Sequence, residues 1–172
     1  MVKTVAEWKE FYMSRVNSDR YYDYFVKRYA PFLDMIRNHG SNHIFEVGCG
    51  IGTVSKVLAK DGFTYSGIDL CPNMAEYANL NTNSNMFEQG DMFKFSTKEL
   101  SVTHGVLEHF EDELIVKSVE LYPNSIHYVP LDKYVTPSFG DERLLPYQHW
   151  IELLSPTEWE LFNDGHDLAF KI

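Results

Sequence analysis

The sequence predicts an α/β fold in which helices cover both faces of a mostly parallel, doubly wound sheet. From His43 onward, short apolar runs alternate with segments whose apolar residues have helical spacing. Strands that alternate with helices in this way pair in parallel. Three glycines, Gly48, Gly50 and Gly52, follow the first apolar run, as expected for a turn from a first strand into a helix. The 172 residues are enough for a single domain with a buried core.

Two helical segments are predicted before the sheet, within residues 1–40. Residues 4–16 place apolar side chains at helical spacing, and Ser18 is predicted to cap a second helix that runs to about residue 38. Pro31 is expected to kink or divide this second helix, because proline lacks the amide hydrogen that an interior position needs.

Residues 43–172 are predicted to form the core. Strands are expected at residues 43–47, 64–69, 85–88, 100–104, 125–129 and 168–172, and helices at residues 53–60, 72–80, 112–121 and 156–162. The stretch from residue 129 to residue 150 is predicted to be mostly irregular. A connection of that length is commonly functional or mobile.

Composition excludes several classes of partner. The formal net charge is −10, and such a surface repels phosphate backbones, so no nucleic-acid partner is expected. The sequence has no apolar run of the ~20 residues that a membrane span needs, and no signal-peptide core at its start, so no membrane partner is expected. Cys49 and Cys71 do not form a disulfide framework, which favours a reducing, cytoplasmic location.

The glycine turn distinguishes between two kinds of ligand. A dinucleotide fingerprint has the pattern G-x-G-x-x-G, and Thr53 stands where its last glycine belongs. Glu46, just before the turn, would repel a pyrophosphate but suits a ligand that carries an ammonium group. A nicotinamide-dependent dehydrogenase is therefore disfavoured.

The segment from Glu46, EVGCGIG, resembles motif I of the class I S-adenosylmethionine-dependent methyltransferases, of the small-molecule, type 11/12-like kind. The resemblance implies a Rossmann-like sheet and S-adenosyl-L-methionine as the cofactor. It also implies a cofactor turn made by Gly48, Cys49, Gly50 and Gly52, with Glu46 near the cofactor's ammonium group, directly or through water.

Two further acids match the same family. Asp69 ends the second predicted strand 19 residues after Gly50, where a carboxylate accepts both ribose hydroxyls. The alternative role of Asp69 is to cap the following helix. The resemblance implies that Leu70 packs against adenine, that Asp91 meets the adenine amino group and that Met92 packs on the ring. An ordinary turn is the alternative for the pair Gly-Asp at this point.

Residues 101–110, SVTHGVLEHF, resemble the family's motif IV, which opens onto the methyl-transfer cavity. His109 is the first candidate for a general base, since imidazole suits proton transfer near neutral pH, and the alternative is a structural role near the cofactor. His104 is expected to face the methionine part of the cofactor or the core. A metal is not expected, because the grouping of His104, Glu108 and His109 lacks a coordination geometry that a sequence can demonstrate.

In many relatives the leading helices form a lid, which here implies a lid from residues 1–40. Tyr21 or Tyr22 is expected to touch the methionine carboxylate of the cofactor, and core packing is the alternative for any tyrosine of this stretch.

The long connection after the fifth predicted strand is expected to serve the acceptor. Residues 139–144 resemble a segment found there in small-molecule methyltransferases. The side chains that this loop is expected to present to an acceptor are Tyr134, Tyr147, His149 and Trp150. Arg143 is expected to pair with a nearby acid.

The C-terminal part departs from the family's pattern, which ends in two strands. Only residues 167–172 are left for a strand after the predicted helix at 156–162, so one strand is expected to be missing or replaced. A missing strand would expose a sheet edge, and a homodimer joined at that edge is one way to cover it.

The functional expectation is in-line methyl transfer from S-adenosylmethionine to a small-molecule acceptor. The alternatives are a non-catalytic or partner-dependent module that binds the same cofactor, and another transferase that uses it, such as an aminopropyltransferase.

Overall fold

A computed structural model of the protein describes residues 12, 15–16, 18–137 and 141–172. The helix predicted at residues 4–16 therefore lies almost wholly outside the described residues, as do the first two residues of the 139–144 segment. Within the described residues, no helix combines the length and the apolar character that are needed to cross a bilayer.

The described residues form a seven-stranded sheet flanked by helices. The strands are β1 (His43–Val47), β2 (Thr64–Asp69), β3 (Phe87–Gln89), β4 (Ser101–His104), β5 (Ser125–Pro130), β6 (Glu158–Phe162) and β7 (Asp167–Lys171). The helices are α1 (Asp19–Arg28), α2 (Ala30–Arg37), α3 (Thr53–Ala59), α4 (Pro72–Thr82), α5 (Asp112–Leu121) and α6 (Tyr147–Leu154). The strand order is β3-β2-β1-β4-β5-β7-β6, parallel from β3 to β5, with β7 antiparallel to both of its neighbours. The predicted α/β fold is confirmed.

The helix predicted from Ser18 to about residue 38 is present as two consecutive helices, α1 and α2. The Ser18 side chain accepts a hydrogen bond from the Tyr21 amide at 3.3 Å and so caps α1. Pro31 lies in the first turn of α2, where its missing amide hydrogen costs nothing, and the predicted division there is confirmed.

Among the described residues, the core consists of a small apolar cluster around Cys49, Ala78 and Phe87 and of two large clusters, one on each face of the sheet. One contains buried residues of α1, α2 and α3, and the other contains buried residues of α5 and α6. Successive side chains of β5 point to opposite faces of the sheet, so this strand contributes to both large clusters. Ile126 and Tyr128 belong to the first cluster and Val129 to the second. Phe32, Leu33, Met35 and Ile36 of α2 are buried, so this helix is a core element, whereas α1 borders the cavity described below.

The structure corrects the predictions for the C-terminal part. The helix predicted at 156–162 is wrong, because residues Glu158–Phe162 form β6, an antiparallel partner of β7. Residues Tyr147–Leu154 form α6, whereas the stretch up to residue 150 was predicted to be mostly irregular. Both C-terminal strands are present, so the expected shortened strand pair is wrong, and the missing strand that motivated a homodimer is in place as β6 at the edge of the sheet.

The physical reason lies in the turn between β6 and β7. Asn163, Asp164 and Gly165 all have positive φ, a conformation that this residue set adopts readily in a tight hairpin. The hydrogen bonds of β7 then stabilise as a strand a segment whose Ser-Pro-Thr-Glu start resembles a helix N-terminus.

Candidate functional site

The glycine turn leads from the end of β1 into α3 in left-handed backbone conformations. Gly48 has a φ of 67°, and a Cβ atom there would lie 2.7 Å from Cγ2 of Val106. Gly52 has a φ of 68° and forms the N-cap of α3, packed close to Ala78. Side chains other than hydrogen are excluded at both positions by conformation and by space. The buried Cys49 donates its amide hydrogen to the Ile68 carbonyl oxygen at 3.0 Å, which ties the turn to β2.

Asp69 lies at the end of β2 and links the turn to the next loop. Its Oδ2 accepts from the Gly50 amide at 2.8 Å, and its Oδ1 accepts from the Cys71 amide at 2.9 Å. Burial raises the pKa of this carboxyl, whereas the two amide hydrogen bonds oppose that rise. The N-cap of α4 is Cys71, so Asp69 is not the cap of that helix.

Glu46 lies beneath the first turn of α3 and is almost fully buried, with 3% of its surface exposed. Its Oε2 accepts from the Ser55 amide at 3.1 Å and from the Ser55 hydroxyl. Burial raises the pKa of Glu46 from 4.5 to about 7, against the opposing effect of these hydrogen bonds. Its contact with a cofactor ammonium group stays a prediction.

The residues expected around adenine lie at the tips of β2 and β3. Leu70 is 71% exposed, an unusual position for a large apolar side chain next to a glycine-rich turn. Asp91 accepts a hydrogen bond from the Phe93 amide at 3.0 Å. Met92 is buried, and its carbonyl oxygen accepts from the Tyr122 hydroxyl at 2.8 Å. Their contacts with a ligand stay predictions.

A cavity of about 280 Å³ opens at the carboxyl ends of β4 and β5. It is lined by Tyr12, Tyr24, Arg28, Tyr29, His104, Gly105, Glu108, His109, Tyr128, Pro130, Tyr134 and Glu142. Tyr12 connects it to the glycine turn, because a Cβ atom on Gly50 would lie 3.8 Å from its ring. This cavity, with its five tyrosines, is called the aromatic cavity below.

His104 forms part of the wall of the aromatic cavity. Its ring stacks on Tyr128 and meets Tyr29 edge-on, with 4.4 Å between ring centroids in both cases. Burial lowers the pKa of His104 to about 3, so its imidazole is neutral at physiological pH. Its Nε2 atom is buried with no hydrogen-bond partner among the residues that the structure describes. The predicted contact with the methionine part of a cofactor is untested.

Glu108 and His109 also line the aromatic cavity. Nδ1 of His109 is 2.9 Å from Oδ1 of Asp141. Burial, followed by the nearby carboxylates of Glu142 and Asp141, raises the pKa of Glu108 well above its ordinary value. A carboxyl in such surroundings is a frequent mark of a functional site.

A buried ionic network that the sequence analysis missed supports the cavity. The carboxylate of Asp167 on β7 accepts from the hydroxyls of Tyr128 and Tyr134, each at 2.9 Å, and from Nη2 of Arg28 at 2.9 Å. Asn163 also donates to it. These partners lie up to 139 residues apart, so only the folded sheet brings them together.

The residues expected to face an acceptor are only partly brought together. Tyr134 lines the aromatic cavity, but Trp150 is fully buried in the core, which corrects that prediction. Tyr147 stacks on Trp159, and His149 lies 3.1 Å from Asp112, so both contact residues outside the cavity.

Two further predictions concern contacts that the structure describes. Arg143 pairs with Asp112 at 2.9 Å, as expected. Tyr21 is hydrogen-bonded to Thr53 at the start of α3 and lies near Glu46, beside the glycine turn. Its contact with a methionine carboxylate is untested.

Known proteins resemble this chain in part of its sequence and in its fold. Residues 45–119 match the family model for a methyltransferase domain. A protein of Geobacillus sp. (strain WCH70), named as a candidate methyltransferase, is 32% identical over 76 residues, which are 44% of this chain and 29% of that protein. The chain thus spans less than a third of the length of this curated relative.

Solved structures resemble the chain over most of its length. A protein from Pyrococcus horikoshii OT3 superposes with a TM-score of 0.73 and 18% identity, covering 95% of this chain and 97% of that one. Magnesium protoporphyrin IX methyltransferase from Synechocystis PCC 6803, solved with bound SAH, superposes with a TM-score of 0.63 and 15% identity, covering 99% of this chain and 87% of that one. At these identities the structures show a shared fold.

Proposed function

We propose that this chain, which carries a methyltransferase domain of the class I, S-adenosylmethionine-dependent type, transfers the methyl group of that cofactor to a small-molecule acceptor. One observation supports the proposal most directly. The aromatic cavity opens beside the glycine turn, and Tyr12 lies against both. A cofactor in the turn and an acceptor in the cavity would then be neighbours, as a direct transfer requires.

The cofactor is proposed to lie across the carboxyl ends of β1, β2 and β3. Glu46 supplies negative charge for the ammonium group, and Asp69 accepts from the ribose hydroxyls. Each carboxylate oxygen has two acceptor sites, so the amides of Gly50 and Cys71 leave capacity on Asp69 for a ligand. Leu70, which the fold leaves exposed, packs against adenine.

The acceptor is proposed to bind in the aromatic cavity. Tyrosine rings provide flat apolar walls, and the few polar groups between them fix the orientation of a small ligand. In the transfer, the acceptor atom attacks the methyl carbon while the carbon–sulfur bond breaks and its electron pair stays on sulfur, which leaves S-adenosylhomocysteine. The leaving group is neutral, so alignment and exclusion of water do most of the catalysis.

His109 is proposed as the base that takes a proton from a hydroxyl or ammonium acceptor. It lines the cavity, and its Nδ1 is close to Asp141, a contact that orients the ring.

Calorimetry with S-adenosylmethionine, S-adenosylhomocysteine and NAD tests the cofactor. We expect both sulfur ligands to bind and NAD to bind weakly or not at all, because Glu46 opposes a pyrophosphate. Leu70→Ser should weaken S-adenosylhomocysteine binding by about 1–2 kcal/mol, since it removes apolar surface from the adenine contact. Leu80→Ser, which alters a leucine that is 64% exposed on α4, is the matched control.

Tight binding of NAD alone would refute the cofactor assignment. Binding of both sulfur ligands without methyl transfer to any of a broad acceptor panel would instead favour a cofactor-binding module. Equal dissociation constants for the two leucine variants would remove Leu70 from the adenine site.

A further inference from the structure

Three side chains with metal-binding atoms converge on one wall of the aromatic cavity. Glu108, His109 and Glu142 each offer one ligand atom, and these atoms all lie within 4.8 Å of one another. All three residues line the cavity. Glu108 and His109 follow β4, whereas Glu142 comes from the loop between β5 and α6. The fold therefore assembles a group that is not contiguous in the sequence.

Glu108 is the buried member of this group. It is 1% exposed, and its Oε2 atom has no hydrogen-bond partner among the described residues. A Cβ atom on Gly105 would lie 3.2 Å from Oε1, so the backbone passes close to the carboxyl. Buried carboxylates in proteins are paired or coordinate a metal, because an unpaired one is costly. Glu108 thus has an acceptor atom that a bound cation would satisfy.

His109 has the surroundings of a metal-binding imidazole. Its Nδ1 lies 2.9 Å from Oδ1 of Asp141. When Nδ1 donates its proton to that carboxylate, the lone pair of the neutral ring is on Nε2. Metal-binding histidines commonly donate their other ring N–H to a carboxylate, which fixes the tautomer and the direction of the ring.

Arg143 holds the loop that carries Glu142 against the residues after β4. Its amide donates to the Glu108 carbonyl oxygen at 2.8 Å, which places the two chain segments side by side. Its guanidinium donates to the Phe110 carbonyl oxygen at 2.6 Å and to Asp112 at 2.9 Å. Arg143 therefore fixes the position of the loop, with its charge directed to Asp112.

We propose that Glu108, His109 and Glu142 hold one divalent cation, Mg²⁺ or Mn²⁺, whose open coordination positions bind the hydroxyl oxygen of the methyl acceptor. Two carboxylates with one imidazole suit these ions, and three protein ligands leave room for water and substrate. The inference rests on the proposed methyl transfer and narrows its acceptor to a hydroxylated small molecule. The sequence analysis expected no metal, because it considered only His104, Glu108 and His109, whose coordination geometry a sequence cannot demonstrate. Glu142, which is distant along the chain, was not part of that grouping.

In the transfer, the cation would activate the acceptor oxygen. The acceptor oxygen, bound to the ion, loses its proton more easily, because the positive charge stabilises the oxygen anion. Because Nε2 of His109 would bind the ion while its Nδ1 donates to Asp141, the ion takes over the role that the proposed function gives to His109 as a base. The O–H bond breaks and the proton passes to water. The oxygen then forms a bond to the methyl carbon as the carbon–sulfur bond breaks, and the products are a methyl ether and S-adenosylhomocysteine.

Binding of Mn²⁺ to the whole chain, after treatment with EDTA and desalting, tests the site. Electron paramagnetic resonance measures the free Mn²⁺ ion directly, and Mg²⁺ serves as the competitor. We expect one saturable Mn²⁺ per chain that Mg²⁺ displaces. Glu142→Gln should weaken Mn²⁺ binding by about tenfold or more. Glu120→Gln, which removes an exposed acid from α5, should leave it unchanged.

S-adenosylhomocysteine binding, measured without metal, separates this inference from the proposed function. A chain that binds S-adenosylhomocysteine but no Mn²⁺ overturns the metal site and leaves the methyl transfer intact. Equal Mn²⁺ affinity in Glu142→Gln and Glu120→Gln also overturns it. Saturable Mn²⁺ binding that Glu142→Gln weakens, in a chain without affinity for S-adenosylhomocysteine, supports the cation site and overturns the proposed function.

Discussion

The buried carboxyl of Glu46 makes the stability of the cofactor-free protein depend on pH. Burial raises its pKa from 4.5 to about 7 in the folded state. Between these two pH values the folded state keeps a proton that the unfolded state has lost, so stability falls as pH rises. Below pH 4.5 both states are protonated, and above pH 7 both are ionised. Each pH unit in the window costs about 1.4 kcal/mol, so the whole window costs about 3 kcal/mol.

Glu46→Gln removes this ionisation and keeps an oxygen that accepts from Ser55. The variant should match the wild type near pH 4.5 and exceed its free energy of unfolding by about 3 kcal/mol at pH 8. Denaturant unfolding of both proteins from pH 4.5 to pH 8.5 measures this difference. Saturating S-adenosylhomocysteine should reduce the pH dependence of the wild type, because an ammonium group beside Glu46 favours its ionised form.

A difference between the two proteins that stays constant across this pH range would refute the reasoning. It would mean that the Glu46 carboxyl is ionised throughout, and that the hydrogen bonds from Ser55 outweigh its burial. Glu120→Gln, on the exposed face of α5, controls for the general effect of removing one negative charge.

Two further substitutions test the turn and the ionic network. Gly48→Ala should destabilise the protein by about 2 kcal/mol or more and abolish cofactor binding, because the new Cβ atom meets a valine methyl group at a positive φ. Gly62→Ala, at a positive φ with open space around it, should cost about 1 kcal/mol and spare cofactor binding, and calorimetry with S-adenosylhomocysteine distinguishes the two. Asp167→Asn should destabilise by about 2–4 kcal/mol in denaturant unfolding, because it leaves Arg28, which is partly buried, without its counter-charge. A loss under 0.5 kcal/mol would mean that water already satisfies Arg28.

Much of the sheet was predictable from local patterns. The bounds of β1, β2 and α5 agree with the sequence prediction to the residue, because each is a short periodic segment between clear turn signals. The turn Asn163–Gly165 was an available hairpin signal, and its recognition would have corrected the helix predicted at 156–162.

Some parts of the candidate site could be predicted from the sequence and others could not. The glycine turn and Asp69 are local features with a fixed spacing, and the structure brings them together through the Gly50 amide. The aromatic cavity was not predictable, because it depends on contacts between distant segments. Arg28 and Asp167 meet only when α1 packs beside the inserted strand β7, and no local pattern encodes that pairing.

The position of β7 between β5 and β6 has a consequence for synthesis on the ribosome. Strand β7 is the last of the seven to emerge, yet it lies inside the sheet and brings Asp167 to the hydroxyls of Tyr128 and Tyr134. Until it arrives, β5 has a bare edge and Arg28 lacks its counter-ion. A nascent chain that stalls before residue 167 therefore exposes the unpaired edge of β5, and residues Asp167–Lys171 cover that edge and supply the counter-ion of Arg28 in a single step.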